Sequence, residues 1–377
     1  MDLEEFQVRG LYDPGVPGAA VRRELLELLV ARGATVDELV AADADGRLPL
    51  VATDLELRQE PARYTLAEFA DRMRMPVALV ERVWSAAGLP ELDARTTFFR
   101  ERDVATFEAF RAGASLLGVD VTVQFTRVLG SSMARIADAA VAAFVVNVEA
   151  KLAERGATEL DLARASIAGI QSLRGLPAAM EVLFEAHVAD ALLREQLSRS
   201  PASQLETAHL AIGFVDLVGY TAMSQQLSNA ELSSAVTDFE EIAADAVTAR
   251  QGRVVKLIGD EVMFVVHDAV GACEAALAIV DAVEAHVVLD TARAGLAFGD
   301  LVRGGGDYYG PLVNAAARAA KVAHRGTVLG TVEVRDAVAQ HGDGLHTSGI
   351  GARRLRGFDQ PVRLYKISRT DIARTGR

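Results

Sequence analysis

Phe214-Val215-Asp216-Leu217-Val218-Gly219-Tyr220-Thr221 sets one carboxylate at the end of an apolar run, with a glycine just beyond it. Lys256-Leu257-Ile258-Gly259-Asp260-Glu261-Val262-Met263-Phe264 repeats the theme. Residues 208–215, 254–258 and 262–266 have the β-branched and apolar character of strands. A tight Gly259-Asp260 turn joins the last two into a hairpin with Asp260 at its tip. With the first strand beside that hairpin, Asp216 and Asp260 project from the same end of one sheet. Neighbouring carboxylates resist joint ionisation. A divalent cation removes the conflict, and oxygen-only ligands suit Mg²⁺ or Mn²⁺. Beyond Asp216 the chain turns through Gly219 into a helical segment, so free backbone N–H groups of Leu217, Val218, Gly219 and Tyr220 are expected to cradle phosphate oxygens. Metal carboxylates beside such a cradle point to phosphoryl-transfer chemistry.

A third stretch reads Asp307-Tyr308-Tyr309-Gly310-Pro311-Leu312-Val313-Asn314-Ala315-Ala316-Ala317-Arg318. Pro311 opens a helix at its first turn, which puts Asn314 and Arg318 at i and i+4 on one face. Arg318 is a fixed cation whose forked donors match a phosphate, and Asn314 can orient a hydroxyl or sugar oxygen.

Taken together, the three stretches resemble the class III nucleotidyl cyclase catalytic domain over residues 205–367. Six separate positions agree in type, order and spacing. The resemblance implies that Asp216 and Asp260 bind two metal ions, Mg²⁺ or Mn²⁺. It implies that Lys256 and Asp307 read the purine, Asn314 orients the ribose and Arg318 stabilises the reacting phosphate. A lysine donor and an aspartate acceptor suit the ring nitrogen and amino group of adenine. Guanine offers the opposite pattern and would leave buried polar groups unpaired. The expected reaction is conversion of ATP to 3′,5′-cyclic AMP and pyrophosphate. The resemblance also implies a homodimer with two composite sites, the metal carboxylates of one chain facing the other chain's base-reading and Asn/Arg residues.

The remainder of the 377 residues reads differently, and this length fits two domains. Residues 1–196 form a nearly all-helical regulatory domain, 197–207 a Ser/Pro-bearing linker and 208–377 the catalytic domain. The expected fold class is therefore α+β: an all-α bundle followed by a ferredoxin-like α/β sandwich. Within the bundle, Thr65 and Glu68 make a capping box that opens a helix-turn-helix-like segment at 64–86. That segment supports an alternative reading as a nucleotide-responsive DNA-binding regulator with a non-catalytic cyclase-like domain. Net charge −13 argues against a nucleic-acid partner. Cys273 is the single cysteine and reads as a small core residue, so no disulfide is expected. The acidic start, Met1-Asp2-Leu3-Glu4-Glu5, lacks the layout of a signal peptide. No stretch reaches the apolar length of a membrane span. Residues 136–148, interrupted by Asp138 and Asn147, read as a buried helix, and the expected location is the cytoplasm.

His187 and His209 flank the linker, and histidine is the side chain whose charge changes near neutral pH. The chain is similar to actinobacterial cyclases with a soluble helical N-terminal domain. That likeness implies autoinhibition, a pH response and a fatty-acid effector. Arg353, Arg354 and Arg356 form a basic run near the last strands, from which a contact to the terminal phosphates is expected.

Overall fold

A computed structural model describes residues 3–58, 60–93, 96–197 and 207–370. The chain divides into two compact units, residues 1–185 and 186–377. Among its described residues the first is built from helices, with one isolated antiparallel bridge between Tyr64 and Phe99. Thr35 with Glu38, Thr65 with Glu68 and Thr158 with Asp161 each close a reciprocal capping box at a helix start. Its core lies in two clusters. One gathers Phe6, Leu25, Leu26, Leu29, Leu39 and Leu160. The other is aromatic, with Phe69 stacked on Phe99 at 4.1 Å and Phe107 edge-on to Phe69. Trp84 packs edge-on against Phe98 and Phe99, and its indole N–H donates to the Pro90 carbonyl at 2.7 Å. Helices Leu66–Met73 and Val77–Ala86 form the helix-turn-helix-like pair, and Arg82, the basic residue of the second, is paired with Asp120 at 2.6 Å.

One expectation for this unit is corrected. Residues 136–148 are not a buried helix, since Val141 is 63% and Val146 64% exposed. Within Val119–Glu154, an 18-residue window has a mean hydropathy of 1.5, long and apolar enough by composition to cross a membrane. An apolar stripe records that a face favours cover without recording what covers it. The helix is not uniform, because Val145–Glu149 widens into a π turn.

The second unit is built on one mixed sheet. Its strands are β1 (Thr207–Val218), β2 (Arg253–Ile258), β3 (Glu261–Val266), β4 (Thr291–Gly304), β5 (Asp307–Tyr309), β6 (Val328–Gly330), β7 (Leu345–Arg353) and β8 (Val362–Arg369). Their order is β2-β3-β1-β4-β6-β8-β7, with β5 added to β4. Among the described strand pairs, only β4 and β6 run parallel. β1 is central and nearly continuously buried, because helices cover both faces. Asn229–Thr248 and Ala269–Glu284 pack on one face around Phe239, Phe264 and Ile279. Pro311–Val322 packs on the other through Ala315, Ala316 and Ala320.

That last contact fixes the Asn/Arg helix. A Cβ at Gly295 of β4 would lie 2.2 Å from both the Ala316 carbonyl oxygen and the Ala320 nitrogen. The helix therefore rests on bare backbone, and its alanine stripe leaves no slack. Gly295→Ala should destabilise the protein by about 1–3 kcal/mol. Denaturant unfolding measures this, and an unchanged midpoint would contradict the packing argument.

Candidate active site

The hairpin forms as the sequence requires. Gly259 takes φ +64 between β2 and β3, and Asp260 follows it at the tip. β1 pairs antiparallel with β3, placing Asp216 opposite Glu261, and with β4, placing Asp216 opposite Arg293. The Leu217 N–H donates to the Asp260 carbonyl at 3.0 Å, which ties the two carboxylate-bearing segments together. It also corrects the expected phosphate cradle, since the Leu217 amide is already committed. Val218 still lies in the β1–β4 register opposite Thr291. Gly219 makes the turn at φ +85, and Tyr220 opens helix Tyr220–Gln226.

Asp216, Asp260 and residues 217–222 line one cavity of about 430 Å³ with Arg293 and Lys321. Asp216 is 3% exposed. Arg293 Nε and its second guanidinium nitrogen reach Asp216 Oδ2 at 2.8 and 2.7 Å, and Lys321 Nζ reaches Oδ1 at 2.6 Å. Lys321 Nζ also stands 3.5 Å from Glu261 Oε1, an ion-pair distance. That buried oxygen has no hydrogen-bond partner. Burial pushes the Glu261 carboxyl above its usual range; Lys321 opposes this, while Asp216 and Asp260 reinforce it. For Lys321, burial works against the ammonium, but the Asp216 hydrogen bond and the charges of Glu261, Asp216 and Asp260 outweigh it and raise its pKa.

Arg293, Lys321 and Glu261 were not singled out by sequence reasoning. One signal was available for Lys321, which follows Asn314 and Arg318 at i+7 on the same helical face. Arg293 becomes visible only once the β1–β4 register is known.

The other sequence-chosen residues fall into a second group. Lys256 Nζ donates to Asp307 Oδ2, so β2 and β5 bring this pair together. Asp307 Oδ1 accepts the Tyr308 N–H at 2.8 Å. Asn314 and Arg318 share the exposed face of helix Pro311–Val322. None of these four lines the carboxylate cavity. Arg353, Arg354 and Arg356 are exposed around the end of β7 and do not line it either. His187 lines a separate cavity of about 780 Å³ with Arg194, Arg253, His267 and Arg303. His209 is not among its lining residues; its Nδ1 pairs with Asp300 Oδ1 at 2.8 Å, and its ring stands edge-on to Phe298.

The carboxylate cavity fits a hard divalent cation, because its two acidic side chains, Asp216 and Asp260, offer oxygen ligands to the same space. Among the described residues, no group of three or more His, Cys, Asp or Glu is gathered at metal-holding distance, so remaining ligands would come from backbone, substrate or water.

The ion-pair cluster has a stability consequence. Asp216→Asn leaves Arg293 and Lys321 facing a neutral amide. Because both cations are partly exposed, the cost should be about 1–3 kcal/mol, below that of breaking a fully buried pair. Asp260→Asn, whose recorded tie is through its backbone carbonyl, should cost much less. Metal-free thermal unfolding of the two variants tests this, and equal losses would contradict it.

Two family models match the chain in succession. Residues 5–192 match the adenylate cyclase regulatory domain family, and residues 203–368 match the adenylate and guanylate cyclase catalytic domain family. A Mycobacterium tuberculosis protein named pH-sensitive adenylate cyclase is 32% identical, covering 97% of this chain and 92% of its own length. A Streptomyces coelicolor adenylate cyclase is 31% identical, covering 78% and 81%. The solved structure of the adenylyl cyclase CyaB from P. aeruginosa covers 44% of this chain and 97% of its own, with 22% identity and a TM-score of 0.40. The chain belongs to the class III adenylate cyclases, with an adenylate cyclase regulatory domain ahead of the catalytic domain.

Proposed function

We propose that this cyclase converts ATP to 3′,5′-cyclic AMP and pyrophosphate in composite sites at the interface of a homodimer. The observation carrying this reading is the split of the chemistry into two groups. Asp216, Asp260 and the Gly219–Tyr220 turn line one cavity, and Lys256, Asp307, Asn314 and Arg318 all lie outside it. A two-fold axis sets the first group of each chain against the second group of its partner, so one pair of chains holds two complete sites.

Bound at Asp216 and Asp260, two Mg²⁺ or Mn²⁺ ions would supply a lowered pKa for the ribose 3′-hydroxyl and neutralise the departing phosphates. Asn314 holds the ribose so that the 3′-oxygen meets the α-phosphorus in line with the leaving pyrophosphate. Arg318 stabilises charge gathering on the α-phosphate, a contribution of about 3–4 kcal/mol for one preorganised donor. Lys256 keeps donors to spare after bonding Asp307 and gives one to an adenine ring nitrogen, while Asp307 accepts from the exocyclic amino group. The same pair disfavours GTP.

The regulatory domain, residues 1–196, acts through the linker at 197–207, of which 198–206 lie outside the described residues. Rotation or separation of the catalytic domains misaligns the half-sites, which gives autoinhibition a physical route. His187 and His209 supply groups able to answer a pH change. An apolar cavity of about 340 Å³ lined by Val141, Phe144, Ile170 and Leu173 offers room for an acyl effector. The working compartment is the cytoplasm, where ATP and Mg²⁺ are at hand.

Mixing two inactive variants tests the composite site. Asp260→Ala and Arg318→Ala should each lack cyclase activity. Random pairing should then rebuild one intact site per mixed dimer, about a quarter of wild-type activity. No recovery despite subunit exchange would contradict the dimeric site. For regulation, full-length protein and residues 200–377 should be compared from about pH 5.5 to 8. Autoinhibition predicts higher activity in the shorter chain, and a pH sensor in the regulatory domain predicts a steeper profile in the full chain. A full-length enzyme no less active than the fragment would remove autoinhibition.

A further inference from the structure

Both oxygens of Asp216 are engaged by side-chain cations of its own chain. Arg293 takes Oδ2 from the strand position directly opposite and also donates to the Lys321 carbonyl at 3.1 Å, so it is held at both ends. Lys321 takes Oδ1 at 2.6 Å from the last turn of helix Pro311–Val322, through a flexible stem and a compact ammonium. A cation entering between Asp216 and Asp260 therefore meets one fixed competitor and one movable one. The movable one has a second place to go. Glu261 Oε1 lies 3.5 Å from Lys321 Nζ and is buried without a hydrogen-bond partner. A short swing of the ammonium would satisfy it and release Asp216 Oδ1.

We propose that Lys321 is a tethered counter-ion which a divalent cation displaces from Asp216 onto Glu261, and that this exchange sets the metal affinity of the site. The proposal rests on the reading of Asp216 and Asp260 as metal carboxylates. The physical reasoning is reciprocal. Asp216, Asp260 and Glu261 would repel one another in a metal-free site, and Lys321 relieves that repulsion. Whatever Lys321 contributes to the metal-free state, it subtracts from metal binding, because two ligands competing for one carboxylate are coupled with equal effect on each other. Glu261 limits the subtraction by giving the displaced ammonium a partner.

Binding of Mn²⁺ alone to the full-length protein, without nucleotide, tests this through loss of the free-ion electron paramagnetic resonance signal. Lys321→Gln should bind Mn²⁺ about tenfold more tightly than wild type, within the range one coupled charge provides. Lys321→Met serves the same comparison if the first variant does not fold. Arg369→Gln removes a cation paired with Asp281 outside the cluster and should leave the affinity unchanged. Glu261→Gln should weaken binding more in the wild-type background than in Lys321→Gln, a non-additivity that general loss of structure would not produce. Equal Mn²⁺ affinity in wild type and Lys321→Gln, or an identical Glu261→Gln effect in both backgrounds, overturns the exchange and leaves the metal reading standing. No Mn²⁺ binding by either protein, with both folded by circular dichroism, overturns the metal reading itself.

Discussion

A carboxylate held almost out of water at the end of the central strand is the constraint around which the catalytic unit is arranged. An isolated buried Asp216 would be costly, so its neighbours answer it. Arg293 stands opposite in the β1–β4 register and Lys321 reaches over from the helix above. Glu261, beside it on β3, adds further negative charge. The hydrogen bond from Leu217 to the Asp260 carbonyl brings the hairpin tip to the same place. The pairing registers, the hairpin and helix Pro311–Val322 all bear on one small pocket lined by two carboxylates and two cations.

The helix is held there by absence of bulk. Gly295 leaves β4 bare where Ala316 and Ala320 cross it, and the buried alanine stripe continues through Ala315 and Ala319. Once that face is committed to the sheet, the geometry of 3.6 residues per turn carries Asn314, Arg318 and Lys321 onto the opposite face. One contact thereby places the residues read as ribose- and phosphate-directed and the lysine that closes on Asp216. Packing precision and charge placement are here a single property of the helix.

Much of this was legible in the sequence because it depends on local rules. The Gly259-Asp260 turn, the Pro311 helix start and the Thr65–Glu68 capping box are short-range statements, and the structure contains each. What sequence reasoning missed depends on register and tertiary approach. The Leu217 amide looks available for phosphate because its acceptor, the Asp260 carbonyl, lies far along the chain in the β2–β3 turn. Arg293 was invisible for the same reason. Residues 136–148 read as a buried helix on apolar composition alone, whereas Val141 and Val146 are exposed.

The most direct test of the central claim is product formation. Purified full-length protein would be incubated with ATP or with GTP, in Mn²⁺ or Mg²⁺, alongside Asp260→Ala, and the nucleotides separated by chromatography. The account predicts 3′,5′-cyclic AMP and pyrophosphate in equal amounts from ATP, far less product from GTP, and none from Asp260→Ala with its fold intact. Absence of cyclic nucleotide from the wild-type protein with either substrate, or undiminished synthesis by Asp260→Ala, would contradict it.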